Sequence, residues 1–104
     1  MYTLSLQPFT FKTQVDNFPE RTVTNIYVSV LNENGSVLFF TTAYVNDNNQ
    51  FEFVLSDVGE YFKLVNFLKS NNYCNIKKIK VNNYPNTLTH YYLTLTEKAL
   101  LLAL

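Results

Sequence analysis

Residues 2–7, YTLSLQ, alternate apolar and polar without a break, with Tyr2, Leu4 and Leu6 on one side and Thr3, Ser5 and Gln7 on the other. Side chains of a strand point alternately to its two faces, so this pattern predicts a half-buried strand. At Pro8 the apolar set moves to odd positions, Phe9, Phe11 and Val15. A one-residue slip exchanges faces, so the proline is expected to mark a bulge or corner in an edge strand.

The same period continues downstream. Ile26, Val28 and Val30 share one face of a strand and Tyr27, Ser29 and Leu31 the other. Asn34-Gly35 then predicts a tight hairpin of type I′, because both residues tolerate positive φ. In the return strand, residues 36–45, Val37, Phe39, Ala43 and Val45 oppose Leu38, Phe40 and Tyr44. Both faces are apolar, which predicts a central strand covered on two sides. DNNQ turns the chain, and Phe51, Phe53 and Leu55 point inward from the next strand. Further on, Ile79 and Val81 read as inward with Lys78 and Lys80 outward. In the last strand Tyr91, Leu93 and Leu95 oppose His90, Tyr92 and Thr94.

Between these strands the period changes to that of a helix. Val58, Tyr61, Phe62, Val65 and Leu68 form a stripe at i, i+3, i+4, i+7 and i+10, widened by Leu64 and Phe67. Asp57 and Glu60 have the spacing of a capping box, and Asn71-Asn72 marks a stop. This predicts a helix over about residues 57–70. The competing reading keeps GEYFKLV extended, as the G-x-Y strand of an immunoglobulin-like sandwich; the capping pattern and the length of the stripe favour helix. The chain ends TEKALLLAL, with Thr96 placed to cap a short apolar helix, although a terminal strand would also accommodate it.

The expected fold is therefore α+β, a mainly antiparallel sheet of five to six strands with one packed helix and a short apolar C-terminal element. The alternative is an all-β immunoglobulin-like sandwich. With 104 residues and no linker or repeat, residues 1–104 form one domain. One helix shields one face of a sheet. The two-sided strand 36–45 thus calls for a second cover, supplied by the leucine tail or by a partner molecule.

Composition narrows the function. Charged residues are 15% and aromatics 16% of the chain, against about 25% charged in average globular domains. The formal net charge is zero, but its distribution is uneven. Up to residue 60, Lys12 and Arg21 stand against seven acids; from residue 61 on, six lysines stand against Glu97 alone. Unless the halves interleave, the particle is bipolar and suited to head-to-tail association. Cys74 is the single cysteine and His90 the single histidine, so no disulfide framework or zinc-ligand spacing exists. A Cys74–His90 catalytic pair lacks any surrounding nucleophile signature. Gly35 and Gly59, the only glycines, cannot build a phosphate-binding loop, and no spacing suggests paired carboxylates. No enzyme activity, cofactor or metal is expected. No signal peptide or membrane-length apolar run is recognisable, so a cytoplasmic protein is expected.

The expected function is a non-enzymatic protein–protein interaction module, a small assembly or structural subunit that self-associates. Its candidate interface is Leu100, Leu101, Leu102 and Leu104 with Phe40 and Tyr44. The short length, low charge and abundance of Asn and Tyr resemble those of small phage or mobile-element proteins, which would place the chain in the host cytoplasm or a virion. The alternatives are an inhibitor that blocks a host protein complex and a single-stranded nucleic-acid binder. For the last, Lys77, Lys78 and Lys80 beside Tyr92 are the candidate basic patch, since lysines beside stacking platforms suit single strands. Lysines alternating on a strand also guard exposed sheet edges.

Overall fold

In a computed structural model, which describes residues 1–56, 59, 61–83 and 86–103, six strands form one sheet. The elements run β1 (Thr3–Thr13), β2 (Arg21–Leu31), β3 (Val37–Val45), β4 (Phe51–Ser56), α1 (Tyr61–Ser70), β5 (Cys74–Asn83), β6 (Asn86–Leu95) and α2 (Glu97–Leu100), then a 3-10 turn (Leu101–Ala103). The sheet order is β1-β2-β3-β4-β6-β5, and every neighbouring pair is antiparallel. This is the expected α+β architecture, and α1 excludes the immunoglobulin-like alternative. The helix begins at Tyr61; the capping residues Asp57 and Glu60 lie outside the described residues, as does Val58.

One face of the sheet carries the core. Leu4 and Leu6 of β1, Ile26, Val28 and Val30 of β2, Ala43 of β3, Phe53 and Leu55 of β4, Leu93 and Leu95 of β6 and Cys74 of β5 are all buried there. Leu64, Val65 and Leu68 of α1 close this layer. The buried stripe of the helix is centred on Leu64 and Leu68, so Phe62 falls at its margin and is 49% exposed. Asn72, at φ +59°, ends the helix. The Tyr73 amide donates to Leu68 O and the Asn72 amide to Lys69 O, while the Tyr73 ring meets Phe67 at 5.9 Å. These paired bonds and the accompanying apolar contact are a Schellman stop with asparagine in the left-handed position.

Three local expectations are corrected. Pro8 marks neither bulge nor corner: the β1–β2 register runs unshifted from Thr3 opposite Leu31 to Thr13 opposite Arg21. Pro8 is tolerated because β1 is an edge strand, and Phe9 and Phe11 simply face the other side from Leu4 and Leu6. The irregularity sits instead in the β2–β3 pair at Val30 and Leu31. The Asn34-Gly35 hairpin is not type I′. Gly35 alone in that loop has positive φ, +80°; its amide donates to Asn32 O, and the Asn32 amide donates to Ser36 O. This is a three-residue loop closed by a left-handed residue. The β3–β4 loop repeats it, with Asn49 at φ +61° and Asn46 in the place of Asn32. In both loops the leading asparagine's Oδ1 accepts from the amides two and four residues on.

The third correction concerns β5. Cys74 and Ile76 face the core, opposite Leu95 and Leu93. Lys78 and Lys80 therefore share the helix side, while Ile79 and Val81 face the opposite side with Lys77. The helix-side position of the lysines is possible because α1 covers only the first part of the strand.

Candidate interaction surface

Among the described residues no helix covers the second face of the sheet, which is left bare. Thr96 caps α2, its Oγ1 accepting from the Ala99 amide at 3.3 Å and donating to Asn72 O at 2.6 Å. Lys98 donates to Asn71 O at 2.7 Å. These bonds tie the tail to the end of α1, and Ala99 joins the core with Leu100 and Ala103 packed against it. The leucine tail thus lies on the same side as α1. It does not supply the second cover that the two-sided pattern of β3 calls for. Of the leucines named as candidates, Leu100 packs inward, Leu101 and Leu102 are exposed, and Leu104 lies outside the described residues.

On the bare face a row of aromatic rings crosses three strands. Phe11 stacks on Phe9 with centroids 6.0 Å apart, Phe9 on Tyr27 at 4.0 Å, and Tyr27 on Phe40 at 5.5 Å. Phe40 is 57% exposed and Tyr44 61%. Val54 and Tyr92 lie directly opposite each other farther along, followed by Lys77, Ile79 and Val81 of β5. By register, the charged residues of this face are only Arg21, Glu52 and Lys77. Phe40 and Tyr44 lie on this face, apart from the leucine tail that the sequence pattern groups with them. Phe9, Phe11 and Tyr27 join them here, and their odd positions, out of phase with Leu4, Leu6, Ile26 and Val28, are the signal for this face in the sequence.

The two halves of this sheet meet at a narrow seam. Among the described residues only Tyr44–Glu52 and Val45–Phe51 pair β3 with β4, next to the loop that joins them. On the core side Phe39 fills the seam against Phe53 and Tyr61. On the bare side the seam leaves an open depression of about 360 Å³ between Thr42, Tyr44, Glu52 and Val54.

The basic patch divides. Lys77 sits opposite Tyr92 on the bare face, whereas Lys78 and Lys80 lie on the helix side, Lys78 with its ammonium 6.0 Å from the Tyr91 ring centroid. The four residues do not form one surface, because strand alternation separates them. Cys74 and His90 are likewise apart: the thiol is buried in the core, which pushes its pKa up to about 12, and His90 Nδ1 lies 3.1 Å from Ser56 Oγ at a β4–β6 pair whose side chains face the bare side. No group of three or more potential metal ligands occurs among the described residues. No helix among them is long and apolar enough to cross a membrane. Among the described residues, α1 and β5 carry lysines and no acid, while Asp16, Glu20, Glu33, Asp47 and Glu52 lie on β4 or in the loops between the first four strands. No protein-family model, curated protein or solved structure matches the chain.

Proposed function

We propose that this protein is a non-enzymatic assembly subunit that packs the bare face of its sheet against the same face of a second copy. The observation that carries this reading is the amount of surface one chain exposes. Its accessible area is 7402 Å², whereas a monomeric protein of 12.1 kDa is expected to expose about 6,000 Å². Its radius of gyration is 15.4 Å, against about 13 Å for a compact domain of this length. The molecule is a slab 43 × 39 × 23 Å, two layers thick.

The composition of the face supports the same reading. Aromatics are enriched and charges depleted at the centres of protein interfaces. A nearly uncharged face can oppose its own copy without like-charge repulsion, as a two-fold interface requires. Six strands spaced ~4.8 Å apart, six to eleven residues long at ~3.3 Å per residue, present roughly 900 Å². That is close to the ~800 Å² per partner of a standard stable interface. Two such slabs, face to face, would make a β-sandwich with helices on its outer sides.

Sedimentation equilibrium of the wild type and of Tyr27→Glu tests the proposal. The wild type should be dimeric at micromolar concentration, and the variant monomeric with an unchanged far-UV circular dichroism spectrum. A wild type that stays monomeric at several hundred micromolar removes self-association and leaves a one-to-one complex with a different protein, as an inhibitor would form.

A further inference from the structure

A second surface lies at the β5 edge, where the backbone rather than the aromatic row of the bare face is on offer. Among the described residues β5 pairs with β6 only, so the outer row of its backbone N–H and C=O groups meets no described strand. The opposite edge, β1, lacks one donor at Pro8; β5 contains no proline. Beside β5 a groove of about 250 Å³ runs between strand and helix, with Phe62, Val65, Ile76 and Tyr91 as its apolar lining and Lys69 and Lys78 at its rim. Neither α1 nor β5 carries an acidic residue.

We propose that the β5 edge accepts an acidic, extended segment of another protein as a seventh, antiparallel strand. Backbone pairing with an exposed edge supplies affinity in such strand addition, and alternate side chains supply specificity. Residues 76–81 read Ile-Lys-Lys-Ile-Lys-Val. Directly opposed side chains in an antiparallel pair favour opposite charges or two apolar groups, and disfavour like charges. The fitting segment therefore reads, from its own N-terminus, apolar-acid-apolar-acid-acid-apolar. Its acids meet Lys80, Lys78 and Lys77, and its apolar residues meet Val81, Ile79 and Ile76. The last of these enters the groove beside Phe62. The three lysines disfavour a second β5, because most antiparallel registers would set ammonium groups opposite one another. They guard the edge against copies of itself while leaving it open to a partner of opposite charge.

The test uses a fluorescein-labelled peptide with the core Val-Glu-Val-Glu-Glu-Val, its reversed sequence, and a version of the first with alternate backbone amides methylated. Anisotropy titration at 50 mM salt should show saturable binding of the first peptide, at least tenfold tighter than the reversed one. Methylation of the amides that face β5 should abolish it. Lys78→Glu with Lys80→Glu should weaken binding at least tenfold, with thermal midpoint and circular dichroism unchanged. Tyr27→Glu, which acts on the bare face, should leave the affinity as it is, so this proposal and that of self-association fail separately. No saturable binding, equal affinity for both peptide directions, or indifference to amide methylation would each overturn strand addition. Binding of oligo-dT that competes with the peptide and is lost in the double lysine variant would show a site for polyanions in general, and would overturn it too.

Discussion

Phe9 and Tyr27 lie with ring centroids 4.0 Å apart and planes 15° from parallel, on the bare face of the sheet. They are diagonal neighbours: Phe9 is opposite Asn25, and Tyr27 is opposite Gln7. Their register is set from the other face, where Leu6 pairs with Val28 and both are buried. A one-residue slip would turn that core out to water, so the packed face fixes the geometry of the exposed one. Asn25 is buried beside the row.

This stack should be measurable in the isolated chain. Phe9→Leu, Tyr27→Leu and the double variant form a cycle, and aromatic pairs contribute about 0.5–1.5 kcal/mol beyond their buried area. Urea unfolding at a concentration where the chain is monomeric should give a coupling in that range. A coupling of zero would mean that the rings are only adjacent.

The helix makes a second comparison. Leu68 is fully buried and Phe62 half exposed, on the same element. Leu68→Ala should cost about 2–5 kcal/mol, and Phe62→Ala only about 0.75–1.5 kcal/mol, since half of its transfer energy is never gained. Equal losses would place Phe62 in the core and close the groove beside β5.

Much of this fold is legible in the sequence because burial on one face imposes a period. Strand alternation at Ile26, Val28 and Val30 and helical spacing at Tyr61, Val65 and Leu68 both report which side faces the core. Where the pattern satisfies two phases, legibility ends. Ile76 and Ile79 are three residues apart, so they cannot share a strand face, and only the pairing of Ile76 with Leu93 decides which one is inward. Asn-Gly fits a two-residue or a three-residue loop equally; the choice follows from the Asn32 side chain holding the amides of Asn34 and Ser36. The aromatic face was only partly legible, because Phe9, Phe11 and Tyr27 come together across strands, and the tail's side depends on Thr96 and Lys98 reaching the end of α1.

Asn72 tests the helix stop. At φ +59° a residue with a β-carbon is strained, by about 1–2 kcal/mol in a left-handed conformation, and glycine or asparagine escapes most of this. Asn72→Ala should lower stability by roughly 1 kcal/mol, while Asn72→Gly should leave it unchanged or raise it. Thermal unfolding of the two variants separates the backbone effect from loss of the side chain: if both fall equally, the amide group rather than the conformation is responsible.

Cys74 gives the fold a pH dependence on the alkaline side. Burial raises its pKa from 9.0 to about 12, so above pH 9 the unfolded chain loses the thiol proton and the folded chain keeps it. Stability from this group is complete below pH 9 and declines as pH rises toward 12, by about 1.4 kcal/mol per unit. Tyrosines and lysines also titrate there, so the comparison is with Cys74→Val. The stability difference between wild type and variant should be constant from pH 6 to 8.5 and shift against the wild type above pH 9. A difference that stays constant to pH 11 would mean the thiol is hydrated in the folded state.

The tail separates a core element from an interface element. Ala99 is fully buried, and Leu100 and Ala103 pack on the core, whereas Leu101 is 66% exposed and Leu102 46%. A fully buried leucine contributes about 1.5–3 kcal/mol, so Leu100, partly buried, is expected at the lower end. Deleting residues 100–104 should therefore lower the urea midpoint without changing the oligomeric state, because the bare face lies on the other side of the sheet. Leu101→Ser with Leu102→Ser should alter stability by less than about 0.5 kcal/mol, as substitutions at exposed sites do. If the double serine variant instead dissociates the oligomer while staying folded, the leucines are the contact and the aromatic face is not. Sedimentation of these two variants beside Tyr27→Glu then assigns the interface to one side of the slab.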